Sequence, residues 1–242
     1  MKRLRRVTEA EVISEFLRNE FYSEEFQHDR TRFESLVLEP DLGNEHENAV
    51  RRALLFRRRG HMWRELPTDT AWWQVQLEAD DLRSIRVFPR AHWRTIGKGS
   101  FHINNIVNNI RRGRFHGRTR SFVSKIQALS YRLRLEHDNS SVLLIGVDEA
   151  RPLTILEGNH RLAAALLASR DVFAGRFRVL CGLSPHMTES CWYETNLANL
   201  WRYARNRFRN LRDREADVDT LWPQPEPAHG YLANAATLKE KL

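Results

Sequence analysis

Apolar residues fall into a helical rhythm early in the chain. Val12, Ile13, Phe16 and Leu17 share one face, and Thr8 followed by Glu11 has the spacing of a capping box, so a helix is predicted to begin near Thr8. The segment NEHENAVRRALLFRRRG predicts a second helix, with Gly60 as its stop after an arginine cluster. At AWWQVQL the period changes to two through Trp73, Val75 and Leu77, which predicts a strand. SIRVFP reads as another strand, ended by Pro89. RAHWRTIGKGS then reads as a loop. FHINNIVNNIRRG reads as a helix with Ile103, Ile106, Val107 and Ile110 on one face and Ser100 as its cap.

Further on, SKIQALSYRLRLEHDNSS predicts a helix ending in a polar turn, and SVLLIGVDEARPLTILEG predicts two strands joined at Asp148 to Pro152. LTILEGNHRLAAALLASR passes from the second of these into an alanine-rich helix over Leu162 to Ser169, and FRVLCG is a closing strand. Such alternation implies an α/β class. The segment TESCWYETNLANLWRYARNRFRNLRDR reads as a long helix, with Trp192, Leu197, Leu200, Trp201 and Phe208 available to dock on the core. From Asp217 the prolines imply an extended tail before a last helical turn. The expected division is a mainly helical region over 1–76, a core over 77–184, a docking helix within 185–216 and a tail over 217–242.

With 41% hydrophobic residues and seven tryptophans, the 242-residue chain has material for a packed interior, which excludes global disorder. A formal charge of +8, carried mostly by arginine, suits contact with phosphates or carboxylates. Cys181 and Cys191 are too few for a disulfide framework and lack zinc-site spacing, which fits a reducing cytosol. MKRLRRVTEAEV lacks the apolar core of a secretory signal, and no run approaches membrane-spanning length. A cytoplasmic protein without a membrane partner is expected.

The chemistry concentrates in EGNHR. Gly158 permits a backbone closed to other residues, and the helix that follows offers unpaired N–H groups and the positive end of its dipole, a ready anion site. Arg161 can fork onto phosphate oxygens, His160 can donate a hydrogen bond or a proton, and Asn159 can donate an amide proton. Glu157 is the odd member, because a carboxylate beside phosphate repels it unless it takes a proton, carries a metal or sits to one side. The same residues also serve an ordinary turn, with Glu157 as a cap and the His-Arg pair in solvent.

The order of pieces resembles the ParB/sulfiredoxin-like superfamily over about Leu77 to Leu183. SIRVFPRAHWRTI with FHINNIVNNI is similar to its first block, and PLTILEGNHRLAAALLA with FRVLCG to its second. The turn is closest to the D-G-x-H-R of the family's small-molecule kinases, and also resembles the G-G-C-H-R of sulfiredoxins and the G-E-R-R of nucleotide-gated partition proteins. The resemblance implies a small mixed sheet with packed helices, carrying here a helical N-terminal extension and a C-terminal docking helix. It implies a nucleoside triphosphate, ATP or CTP with Mg²⁺, whose phosphates rest on Gly158, Asn159 and Arg161. Arg90, His92 and Arg94 of the proline-containing loop are implied to complete that site. Asn199 and Arg202 stand at the separation of a partition-protein helix motif. Asn159 occupies the place of the sulfiredoxin cysteine, which excludes peroxide repair.

Two function classes follow. One is a phosphoryl-transfer or nucleotide-hydrolysing enzyme with Glu157 and His160 as catalytic residues and a small-molecule acceptor. The other is a nucleic-acid-binding protein or nuclease that uses the same turn, motivated by clusters such as RRALLFRRRG and NIRRGRFHGRTR. GKGS at Gly97 to Ser100 lacks phosphate-loop spacing, and no histidine set has metal-ligand spacing.

Overall fold

The computed structural model describes residues 1–135, 141–169, 177–212 and 217–223. They build a mixed six-stranded sheet with helices on both faces. The strands are β1 (Lys2–Arg6), β2 (Ala71–Gln76), β3 (Arg86–Val87), β4 (Ser141–Gly146), β5 (Thr154–Glu157) and β6 (Arg178–Leu183), in spatial order β1-β2-β6-β4-β5-β3. The β4/β6 and β3/β5 pairs are parallel and the others antiparallel. β4 is buried along its whole length, as an unbroken apolar run in a covered strand should be. Its Val142 and Leu144 face one core, and Leu143 and Ile145 face the other.

The second core lies under α1 (Glu9–Glu20), α2 (Arg30–Leu38) and α3 (Glu45–Trp63). The first lies under α4 (Asp81–Ser84), α5 (Ala91–Gly97), α6 (Ile103–Arg112), α7 (Gly117–Leu135) and α8 (Asn159–Ala168). The Thr8 cap forms as expected, its hydroxyl accepting the Glu11 N–H at 3.2 Å, and Val12, Ile13, Phe16 and Leu17 are buried. Ile103, Ile106, Val107 and Ile110 are buried on α6. The sheet draws on residues either side of the boundary expected at residue 76, because β1 and β2 pair in series with β6. No helix among the described residues is long and apolar enough to cross a membrane.

Several local expectations are corrected. KRLRR, read only as charge, forms the edge strand β1, every residue of it exposed. RAHWRTIGKGS is largely α5 rather than loop, since Trp93 and Ile96 recur at helical spacing and are buried, and Lys98 ends the helix with φ 49°. Ser100 is not the cap of α6; His102 holds that position, and the Ser100 hydroxyl accepts from Asn105 at 2.9 Å. Gly60 does not stop α3, which runs to Trp63. Its missing side chain leaves room for Asn210, whose Oδ1 would lie 2.0 Å from a Cβ.

The C-terminal helix α9 spans Leu197–Arg212, preceded by a single 3₁₀ turn at Met187–Glu189. Trp192 docks as expected, but Leu197, Leu200, Trp201 and Phe208 point outward. The docked face instead carries Asn199, Tyr203, Asn206 and Asn210. A buried carboxylate explains the inversion, because Glu65 is 3% exposed and takes the Asn206 amide at 2.6 Å. An apolar residue there would leave its Oε1 unpaired, with only the Cys191 N–H on Oε2. Within the expected tail, Val218–Leu221 forms a short helix, α10, capped by Asp217 and tied to Arg32 through Asp219. The polar turn over 136–140 and the tail's last helical turn lie outside the described residues.

Candidate functional site

The EGNHR turn lies where β5 gives way to α8. Gly158 takes φ 95°, and a Cβ on it would stand 3.2 Å from Val142 Cγ2 and 3.3 Å from Val142 Cα. The backbone shape therefore favours glycine, and a side chain there would need Val142 to give by a few tenths of an ångström. Its carbonyl accepts Leu162 N–H at 2.8 Å, while the N–H groups of Asn159, His160 and Arg161 have no acceptor among the described residues. Asn159 Oδ1 and Arg161 Nε are buried and likewise lack partners there.

Glu157 is the most constrained group. Arg161 Nη2 binds both its oxygens, and Asn19 of α1 donates to Oε2 at 2.8 Å while also bonding the carbonyl and hydroxyl of Ser141. Burial pushes its carboxyl up to about 7, against the opposing pull of Arg161, with Glu20 adding to the rise and Asn19 and the Gly158 amide drawing it back. A carboxyl in that range exchanges protons near neutrality. The His160 ring falls below its ordinary value through burial and then the charges of Arg161 and Lys125, so it is neutral at pH 7.

Two cavities meet at this turn, and Glu20, Glu157, Gly158 and His160 line both. The first, about 380 Å³, has aromatic walls. His160 lies 5.4 Å from Trp93 and 4.9 Å from Phe122, His92 stacks on Phe122 at 4.8 Å, and Phe88 meets Trp192 at 4.8 Å. The Arg90 guanidinium sits 4.4 Å over the Trp192 ring at the mouth. The second cavity, about 530 Å³, takes in Arg18, Arg132 and Arg161 beside Tyr22 and Leu129. A larger one, about 810 Å³, opens between β2, α3 and α9 and contains none of the EGNHR residues.

No family model, curated protein or solved structure matches the chain.

Of the residues singled out in the sequence, Glu157, Gly158, Asn159, His160, Arg90 and His92 line the first cavity, and Arg161 lines the second. Arg94 is exposed on α5 and lines neither. Asn199 and Arg202 also stand away from both. Asn199 gives its amide to the Thr188 and Glu194 carbonyls, and Arg202 pairs with Glu189 at 2.7 Å. Residues the sequence did not single out complete the walls, namely Arg59 and His61 of α3, Phe122 of α7, and Asn19 and Glu20 of α1. Only their burial against distant elements marks them; Asn19 and Glu157 are 138 positions apart.

The chemistry of these groups is narrow. Burial pushes the Cys181 thiol up to about 12 and raises that of Cys191, so neither supplies a thiolate near neutrality. Among the described residues no three His, Cys, Asp or Glu side chains converge as a metal site. Among the described residues the carboxylates on the two cavities are Glu157 and Glu20. Glu157 is already bound by Arg161 and Asn19, whereas Glu20 has a 3.3 Å contact with Arg59. A magnesium ion carried in by phosphates needs only one or two protein carboxylates, and Glu20 fits that requirement better than Glu157.

Proposed function

We propose that the chain is a nucleotide-binding enzyme of the ParB/sulfiredoxin-like kind, which transfers or hydrolyses a phosphoryl group on a small molecule. The observation that carries this reading is the Gly158 turn itself. It opens three N–H groups, unpartnered among the described residues, at the junction of an aromatic cavity and one lined by three arginines. A nucleoside rests against the aromatic wall formed by Trp93, Phe122 and His92, its phosphates reach the first turn of α8, and Arg90 and the free edge of Arg161 neutralise them. The acceptor enters from the side of Arg18 and Arg132. Glu157 takes the acceptor's proton at its carboxylate, and neutral His160 donates a hydrogen bond to the transferring group. Glu20 would hold Mg²⁺ arriving with ATP or CTP, which would supply charge neutralisation on the phosphate oxygens.

The test is a thermal-shift panel of ATP, ADP, CTP, GTP and short oligonucleotides, with and without Mg²⁺, on the wild type and Arg90→Ala. Arg90 lies at the mouth, so its loss should leave the unliganded melting temperature in place. One mononucleotide should stabilise the wild type by about 2.7 kcal/mol at a hundredfold excess over Kd, and the variant much less. Stabilisation by oligonucleotides alone, weakening steeply with salt, would favour the nucleic-acid reading instead. Given the selected nucleotide, Glu157→Gln should lower turnover by about a hundredfold or more and leave nucleotide binding intact. Turnover that survives the substitution removes Glu157 from the chemistry.

A further inference from the structure

α9 is amphipathic in the reverse sense. Its inward face is asparagine and tyrosine, held by hydrogen bonds. Asn199 donates to Thr188 and Glu194 carbonyls at 2.8 and 2.7 Å, Asn206 to Glu65 at 2.6 Å and Asn210 to the Phe56 carbonyl at 3.3 Å. Its outward face holds Leu197, Trp201, Phe208 and Leu211, which are 87%, 76%, 71% and 79% exposed. These four positions fall on one stripe at helical spacing, with Leu200 at its margin. Scattered exposed apolar residues need no explanation, but a continuous stripe of this size marks a contact surface.

The charges around the stripe identify the occupant. The helix contains five arginines, at 202, 205, 207, 209 and 212, and no acidic residue. Helical geometry sets Arg205 and Arg212 along one border of the stripe and Arg207 along the other. None of Arg205, Arg207, Arg209 and Arg212 makes an ion pair among the described residues. A second copy packed stripe to stripe would bring these arginines against one another. Nucleic acid would answer the arginines and leave four large apolar side chains in water. An anionic bilayer surface satisfies both, taking leucine, tryptophan and phenylalanine into the acyl boundary while the bordering guanidinium groups reach lipid phosphates. We infer that α9 is a membrane-surface anchor, which docks this protein on an anionic bilayer through Leu197, Trp201, Phe208 and Leu211. Such an attachment lies on the bilayer and crosses nothing, so it agrees with the absence of a spanning helix, and it would revise the expectation of no membrane partner.

The test uses the full chain with vesicles of phosphatidylcholine alone and of phosphatidylcholine with a quarter phosphatidylglycerol, read by co-sedimentation at low salt. The wild type should bind the anionic vesicles, more weakly as salt rises, and the neutral ones little. The double substitution Phe208→Glu, Leu211→Glu should reduce anionic binding by at least about tenfold. Both sites are exposed, so the melting temperature should not move, and Phe208→Trp should retain binding. Absence of binding by the wild type at low salt overturns the inference, as does equal binding by the double variant. Two other results also overturn it when vesicle binding is missing. A dimer in sedimentation equilibrium that the double variant abolishes would assign the stripe to a second copy. Oligonucleotide binding that the same variant abolishes would assign it to nucleic acid.

Discussion

Replacing Arg161 by alanine should destabilise the fold by about 3 kcal/mol near pH 8 and by far less near pH 5. The Glu157 and Arg161 side chains are 11% and 15% exposed, so deleting the guanidinium strands a carboxylate that water reaches poorly. Burial already holds the Glu157 carboxyl at about 7 with Arg161 present, and removing the cation drives it higher. The sign follows from proton counting. Between the ordinary carboxylate value of 4.5 and about 7, the folded chain keeps a proton that the unfolded chain has released, so stability falls as pH rises through that window. The contribution is fully present below the unfolded value and lost above about 7. In the variant the window extends upward, and the penalty grows with it. Urea midpoints measured from about pH 5 to about pH 8 check this. A penalty equal at both ends would mean that Arg161 matters through packing rather than charge.

Gly158→Ala should cost about 2 kcal/mol of stability and also remove any ligand stabilisation assigned to the turn. The backbone there has φ 95°, and the added carbon would press on Val142 in the middle of the sheet, so the strained β5–α8 junction is expected to shift by a few tenths of an ångström. The two cavities share that junction, and a shift moves the first-turn amides away from both. Gly99→Ala is the matched control. Gly99 has φ 93° with nothing within 4 Å of an added Cβ, so it carries the backbone strain without the collision. It should cost about 1 kcal/mol and leave ligand response intact. Equal ligand response in Gly158→Ala and Gly99→Ala would detach the turn from binding.

The α/β class and its periodic elements were legible in the sequence. Thr8 with its apolar face, the isoleucines of α6 and the two strands around Asp148 follow from local spacing. The failures share a physical cause, which is that tertiary partners outweighed local preference. Gly60 sits inside α3 because Asn210 arrives from a distant helix, and α9 turns its asparagines inward because Glu65 is buried beneath them. β1 was hidden because an edge strand with five exposed residues carries no alternation of apolar positions. At the site, the turn was readable because Gly158, Asn159, His160 and Arg161 are consecutive. The partners from α1, α3 and α7 were not, since nothing local to Asn19, His61 or Phe122 announces the neighbour each will meet. Glu157 and Arg161 stand four residues apart, but Glu157 lies before the helix begins, so their spacing alone does not distinguish a mutual ion pair from two separate ligand contacts.

The two edges of the sheet limit how this protein meets others. β1 presents Lys2, Arg3, Arg5 and Arg6 along one rim, and β3 at the opposite rim is two residues long and soon followed by Pro89. A foreign strand approaching the first rim meets a row of cations, and at the second it finds too few open backbone groups to form a ladder. Backbone-mediated recruitment by strand addition is thereby disfavoured at both ends. Association is left to favour side chains displayed on helices, whose composition can change without disturbing the sheet. The same arrangement guards the chain against runaway stacking of sheets when it is concentrated.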